Sequence, residues 1–105
     1  MKAFVLTDFD SAPAIGDLPT PDPGPGQVRI RVRAAALNGI DAAVSSGLMR
    51  SMVDYCFPVV IGFDGAGIVD AVGEGVTGIS IGDEVLGHYA FGSELHHGTL
   101  AEHAS

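Results

Sequence analysis

Short apolar runs, separated by glycine, proline and acidic residues, make up most of the chain. The clearest pattern lies at residues 27–36. Apolar and basic residues alternate there as Val28, Arg29, Ile30, Arg31, Val32 and Arg33. Successive side chains of a strand point to opposite faces, so this alternation predicts a β-strand with one apolar and one charged face. The charged face could be an anion site, but we favour a solvated face, because alternation alone demands polar residues there.

Other apolar runs predict further strands. They lie at residues 2–7, 59–61 and 66–72, with a short apolar pair at residues 85–86 that Gly87 ends. Residues 99–103 could begin one more strand, although we expect nothing to pair with it. The pattern therefore predicts a mainly β fold.

One short helix is predicted at residues 42–46. Either Asn38 or Asp41 could cap its beginning, and Gly47 closes its end. Turn residues fill positions 8–26, residues 48–58 are loop-like, and residues 73–78 form a glycine-rich turn. The predicted fold class is mainly β with one or two short helices.

The composition agrees with one β-rich domain. A chain of 105 residues, 47% hydrophobic and 17% charged, can bury one modest core. Its 15 glycines and six prolines argue against a helical bundle and favour many tight turns.

The net charge of −8 is carried by the second half of the chain. Residues 51–105 hold eight acidic residues and no lysine or arginine. Such a surface repels phosphate, so we exclude nucleic acid and anionic membranes as partners. Uncharged stretches are too short for a membrane span, and an acid follows Met1 too soon for a signal peptide. Cys56, the single cysteine, cannot form an internal disulfide, which favours a reducing, cytoplasmic setting, and we interpret it as an inert thiol.

Residues 73–78 match G-x-G-x-x-G, the fingerprint of dinucleotide-binding turns. That mechanism requires a helix directly after the turn, because the pyrophosphate binds at the helix N-terminus. The residues that follow alternate between apolar and polar and soon reach Gly82, which does not favour a helix. We therefore interpret this segment as a hairpin-type turn and reject a nucleotide loop.

Several sequence pieces together carry a family resemblance. They are PGPGQV at 23–28, AAALNGID at 34–41 with Ser46-Gly47, FPVVIGFDGAGIV at 57–69, VGEGV at 72–76, GDEV at 82–85 and GTLAE at 98–102. In this order and spacing they resemble the N-terminal GroES-like domain of the medium-chain dehydrogenase/reductase superfamily. The most similar branch is zinc-independent, quinone oxidoreductase-like and NADP-dependent. The resemblance implies a GroES-like, partly open β-barrel, which we expect to be truncated at its C-terminal end.

The resemblance also shows where this chain departs from the zinc alcohol dehydrogenases. Asn38 stands where they have a cysteine zinc ligand, Ile40 where they have a Ser or Thr proton relay, and Gly62-Phe63-Asp64 replaces their Gly-His-Glu. Phe63 has no lone pair to donate, and an amide is a poorer zinc ligand than a thiolate. We therefore expect no zinc. We expect hydride transfer from NADPH to a quinone or conjugated carbonyl, with the nicotinamide carrying the chemistry.

Individual residues have both functional and structural interpretations. The resemblance places Asn38 beside the nicotinamide as a cofactor-binding residue, whereas the residues alone also allow a helix cap or a left-handed backbone position. Asp64 could lie in a cleft with a perturbed pKa, although we favour an acceptor for backbone N–H groups of the glycine-rich turn. Asp41 is interpreted as a first-turn helix acid. The weak candidates for a substrate pocket, beside Asp64, are Tyr55, Phe57 and Phe63, with packing as the default interpretation.

In the family, a Rossmann domain that follows this one holds the cofactor phosphates. We therefore expect residues 1–105 to be a fragment: the GroES-like N-terminal, substrate-side domain of an NAD(P)H-dependent oxidoreductase, inactive by itself. Its expected partner is a small quinone or carbonyl molecule, and a homodimer is compatible with the resemblance.

Two other classes of function are kept as alternatives. One is a GroES-like co-chaperonin or interaction module. The other is a small acidic metal-binding protein using His96, His97, His103, Glu94 and Glu102. We disfavour the metal site, because adjacent strand residues point to opposite faces and no H-x-x-x-H spacing is present.

Overall fold

The chain folds into short strands and one helix. The fold comes from a computed structural model, which describes residues 1–88, the backbone of residues 94–95, and residues 97–105. The strands are β1 (Lys2–Leu6), β2 (Ala14–Asp17), β3 (Val28–Ala36), β4 (Asp54–Tyr55), β5 (Val59–Val60), β6 (Asp64–Val72), β7 (Glu84–His88), β8 (Glu94–Leu95) and β9 (His103–Ala104). The helix, α1 (Gly39–Ser45), lies between β3 and β4.

The strands form open sheets. A four-stranded sheet has the order β7-β6-β3-β9, with antiparallel neighbours throughout. A three-stranded sheet has the order β2-β1-β5, and β4 pairs with β8 in parallel. The predicted mainly β fold and the partly open architecture of a GroES-like domain are confirmed.

The main core lies between the three-stranded sheet and the helix. Its buried members are Leu6, Val44, Val53, Val59, Ile61 and Phe63. A smaller cluster on the four-stranded sheet joins Ile30, Val69 and Ala104. Phe63 directly precedes β6, so the main core anchors the beginning of that strand.

The first turn of α1 is stabilised from within. Asn38 is the N-cap, and its backbone N–H donates to Oδ2 of Asp41 at 2.8 Å. The cap interpretation of Asn38 is confirmed, whereas the left-handed one is wrong, because its φ of −130° is extended. Asp41 is a first-turn acid as predicted. The helix begins earlier than residue 42, because this interaction organises the residues before it.

Three segments differ from the sequence-based expectation. Residues 8–26 contain β2, and residues 48–58 contain β4. Residues 85–86 belong to the longer β7, which continues through Gly87 because β6 supplies backbone partners. In each case pairing with a distant strand outweighs local preference.

The expectation that nothing pairs with the tail was also wrong. Strand β9 pairs with β3, with Ala104 opposite Ile30, and Ala101 forms a bridge with Ala3. The tail therefore links the two larger sheets. The described part of the chain has no helix with the length and hydropathy to cross a bilayer.

Candidate functional site

Three strand ends meet at one end of the four-stranded sheet. Asp64, the first residue of β6, lies opposite Ala36, the last residue of β3, and on its other side opposite His88, the last residue of β7. Directly opposed residues of antiparallel strands present their side chains on the same face. Asn38 follows β3 by two residues. The topology therefore gathers Asn38, Asp64 and His88 in one place.

The Asp64 carboxylate is the centre of a hydrogen-bonded triad, which we define as Asn38, Asp64 and His88. Nδ1 of His88 lies 2.7 Å from Oδ1 of Asp64. Nδ2 of Asn38 donates to Oδ2 of the same carboxylate. These hydrogen bonds, first the one from His88 and then the one from Asn38, hold the pKa of Asp64 below its usual range. Asp64 is therefore an anion with both oxygens engaged.

Buried residues on the core side contact Asp64 and His88 of the triad. The fully buried Thr99 donates its hydroxyl to the backbone carbonyl of Asp64 at 2.9 Å. The ring of Phe63, only 5% exposed, stacks against that of His88 with centroids 6.1 Å apart and an interplanar angle of 30°. Gly62, with a φ of +111°, lets the chain approach Thr99 closely. The core thus positions the strand that carries Asp64.

A cleft of about 420 Å³ opens beside the triad. Most of its lining is small or apolar: Ala34, Ala35, Ala36, Gly65, Ala66, Leu86 and Gly87, with Asp64 and His88 as the polar members. A largely apolar cleft with a few convergent polar groups is typical of small-molecule sites. The geometry suits a flat organic molecule carrying one hydrogen-bonding group.

Residues 24–104 match the family model described as the alcohol dehydrogenase GroES-like domain. The chain belongs to this family. The match extends over most of the chain and includes the whole triad and cleft. The resemblance stated from the sequence is therefore confirmed.

Individual relatives agree with this assignment of the GroES-like domain. It is 36% identical over 111 residues to 2-methylene-furan-3-one reductase from Solanum lycopersicum, covering 100% of this chain and 28% of that protein. A solved NAD-dependent alcohol dehydrogenase is 36% identical with a TM-score of 0.79, covering 98% of this chain and 36% of that one. A mycobacterial quinone oxidoreductase is 31% identical with a TM-score of 0.75, and the match covers 99% of this chain and 30% of that one. A mycobacterial structure complexed with NADPH has the same identity and score.

The GroES-like domain accounts for only part of each relative. It spans 28% of the tomato reductase and 30–36% of the solved chains named above. A local match to S-(hydroxymethyl)glutathione dehydrogenase from Candida maltosa covers 33 residues at 54% identity, which is 31% of this chain and 9% of that enzyme. The relatives' whole-protein activities therefore come to this chain only as proposals.

The structure brings Asn38, Phe63 and Asp64 together, but it places two other pocket candidates elsewhere. Tyr55 and Phe57 pack with Phe9 in an aromatic cluster, with ring centroids 4.8–5.7 Å apart. They are not among the described residues that line the cleft. The Tyr55 hydroxyl donates to the carbonyl of Val44, and burial raises the pKa of Tyr55. These contacts agree with packing.

The contacts of Asp64 differ from those that we favoured from the sequence. Its carboxylate accepts from the side chains of Asn38 and His88, not from backbone groups of the glycine-rich turn. His88 itself was missed, because the predicted strand ended at Gly87. A longer strand, paired in register with β6, would have placed His88 opposite Asp64.

The remaining motifs of the sequence lie away from the triad. The glycine-rich turn at 73–78 leads to β7 and not to a helix, so the nucleotide fingerprint lacks the element that it requires. His96 and the side chain of Glu94 lie outside the described residues. Nε2 of His103 lies 3.2 Å from Asp70, and Glu102 accepts from the backbone of Lys2. Within the described residues no group of three or more His, Cys, Asp and Glu could hold a metal ion.

Proposed function

We propose that this chain is the substrate-side domain of an NADPH-dependent reductase that acts on quinones or conjugated carbonyl compounds without zinc. The observation that carries the proposal is the apolar cleft with the triad at its edge. The tomato relative is named as a reductase of a conjugated furanone, and a mycobacterial relative as a quinone oxidoreductase. Both names agree with an electron-poor acceptor.

The donor set argues against zinc. Phe63, in the position where the zinc alcohol dehydrogenases have histidine, is buried in the core and offers no donor atom. Both oxygens of Asp64 are engaged by neighbouring side chains, and Nδ1 of His88 faces that carboxylate. A catalytic zinc site needs three protein ligands, commonly histidine and cysteine. The residues present do not fit one.

The cleft fits the nicotinamide end of a cofactor better than its phosphates. Small residues leave room for a flat ring, and Asn38, which binds the cleft residue Asp64, has a second side-chain N–H besides the one that it donates to Asp64. The described lining contains no lysine or arginine that could pair with phosphate. When bound, NADPH supplies a hydride; the residues of this chain would orient the acceptor and exclude water from it.

The same argument bears on cofactor binding by residues 1–105 alone. We infer that the 105 residues alone do not bind NADPH appreciably and have no turnover, because the phosphates need partners outside this cleft. Isothermal titration of the isolated chain with NADPH should show no binding at micromolar concentrations. Micromolar affinity would contradict the inference.

The activity itself is tested on the full product of the gene that encodes this chain. We expect NADPH consumption with a quinone or a conjugated enone, unaffected by a chelator, and none with the matching saturated ketone. Activity that is lost on chelation and restored by zinc would refute the zinc-free part. A closed ring in native mass spectrometry, without reductase activity, would favour the co-chaperonin alternative.

Two further predictions accompany this function. The single cysteine agrees with a cytoplasmic location. The homodimer stays a prediction, which sedimentation velocity of the full protein would test.

A further inference from the structure

We propose that His88 is the proton donor of this reduction and that Asp64 positions it. This inference rests on the proposed function. Hydride transfer to a conjugated carbonyl or quinone leaves negative charge on the acceptor oxygen, and a proton must reach that oxygen. Of the described residues that line the cleft, only Asp64 and His88 carry titratable groups.

The orientation of the imidazole follows from its hydrogen bond. Nδ1 faces Asp64 at 2.7 Å, and the two ring nitrogens lie on different edges of the ring, so Nε2 is directed away from the carboxylate. The side chain is 61% exposed while it lines the cleft, so an acceptor can reach it. Stacking on Phe63 restricts rotation of the ring.

The Asp64 carboxylate lies at hydrogen-bond distance from Nδ1 of His88, so the proton that His88 donates to an acceptor would leave from Nε2. Asn38 binds the other carboxylate oxygen, which fixes the plane of the carboxylate. Asp64 is itself a poor proton donor, because its pKa lies below the usual range.

The step balances as follows. A bound dihydronicotinamide would supply a hydride, whose electron pair would form a C–H bond at a carbon conjugated with the carbonyl group of the acceptor. The C=C electrons would shift toward the carbonyl carbon and the carbonyl π electrons to oxygen. That oxygen would take the proton from Nε2 of His88 as the N–H bond breaks, which gives the enol form of the reduced acceptor. NADPH is oxidised and the acceptor is reduced. His88 is left neutral, with Nδ1–H donated to Asp64, and takes a new proton from water.

The first test uses the chain itself and needs no activity. Long-range ¹H–¹⁵N correlation spectra report which ring nitrogen of a neutral histidine carries the proton. We expect the Nδ1–H form at His88, and its loss in Asp64→Asn but not in Asp17→Asn, an exposed aspartate on β2. The Nε2–H form in the wild-type chain would overturn the proposed geometry.

The second test uses the full reductase. We expect His88→Ala to lower kcat about 10²–10⁴-fold, the usual contribution of a general acid, with little change in KM for NADPH and partial rescue by added imidazole. His88→Gln preserves bulk and should be equally slow. His103→Gln, on β9 and away from the cleft, serves as the control.

The outcomes separate the two claims. A wild-type enzyme that reduces none of the acceptors overturns the proposed function and, with it, this inference. An active wild type whose kcat survives in folded His88→Ala and His88→Gln overturns only the inference, because another proton source must then exist. Loss of activity without imidazole rescue in the alanine variant would also count against proton donation.

Discussion

A substitution at Gly62 should affect both the stability of the fold and the position of Asp64. Its φ of +111° is unfavourable for any residue with a Cβ. A Cβ there would lie 2.5 Å from Oγ1 of Thr99 and 2.9 Å from the backbone N of Leu100. Gly62→Ala should therefore strain the backbone and also displace the hydroxyl that holds the Asp64 carbonyl.

The magnitude can be estimated from these contacts. Strain at a disfavoured φ costs roughly 1–3 kcal/mol. Overpacking against backbone adds about 1–3 kcal/mol, and loss of the Thr99 hydrogen bond about 1 kcal/mol. We expect Gly62→Ala to lower the free energy of unfolding by about 4 kcal/mol. That is a large part of the roughly 5–15 kcal/mol typical of a domain.

Gly78→Ala is the matched control. Gly78 also has a positive φ, +81°, but a Cβ there would meet nothing within 4 Å. Gly78→Ala should lower the free energy of unfolding only through backbone strain, by about 1–2 kcal/mol. At about 4–8 °C per kcal/mol for a small domain, the difference of about 2–3 kcal/mol between the two variants should separate their Tm values by about 8–24 °C. Circular dichroism during heating measures this, with sucrose added if Gly62→Ala is unfolded in buffer. Equal losses in the two variants would refute the crowding argument.

Three other predictions concern stability and pH. Asp41→Ala should cost about 1 kcal/mol in urea unfolding, because the first turn of α1 loses its carboxylate acceptor; an unchanged midpoint would contradict that role. Arg29→Met should cost about 1–3 kcal/mol, since its half-buried guanidinium pairs with Asp70 at 2.8 Å, whereas the exposed Arg31→Met should change stability by less than about 0.5 kcal/mol. The folded-state pKa of Asp64 is lowered, so its stabilising contribution is present above the ordinary aspartate range and lost as pH falls through the folded value. Asp64→Asn should therefore reduce the loss of unfolding free energy at acidic pH. A pH dependence identical to that of the wild-type chain would contradict the hydrogen bonding of Asp64 in the triad.

The long strands could be predicted from the sequence because their signal is local. Alternation marks β3, and an apolar run marks most of β6. Strand β2 has no such signal: Ile15 is 70% exposed, and the strand exists because its backbone pairs with β1. Pairing between distant segments is not visible in a window of sequence.

The same reason explains which part of the site was missed. Asn38 and Asp64 belong to motifs that the family resemblance marks, so they were candidates from the beginning. His88 belongs to no such motif. It follows Gly87, at which the local sequence predicts the end of a strand. Its position depends on the register between β6 and β7, in which Asp64 lies opposite His88. A slip of one residue would turn the imidazole to the other face.

The triad is exposed on one side and supported by the core on the other, and this division determines how substitutions act. His88 is exposed, so changing it should alter chemistry with little loss of stability, whereas changing Asn38 also removes the N-cap side chain of α1 and should cost about 1 kcal/mol. Gly62 and Thr99 lie beneath Asp64, and Thr99 is fully buried, so changing them should disturb fold and site together. A variant that loses activity while its unfolding transition is unchanged therefore identifies a group that acts on the reaction itself.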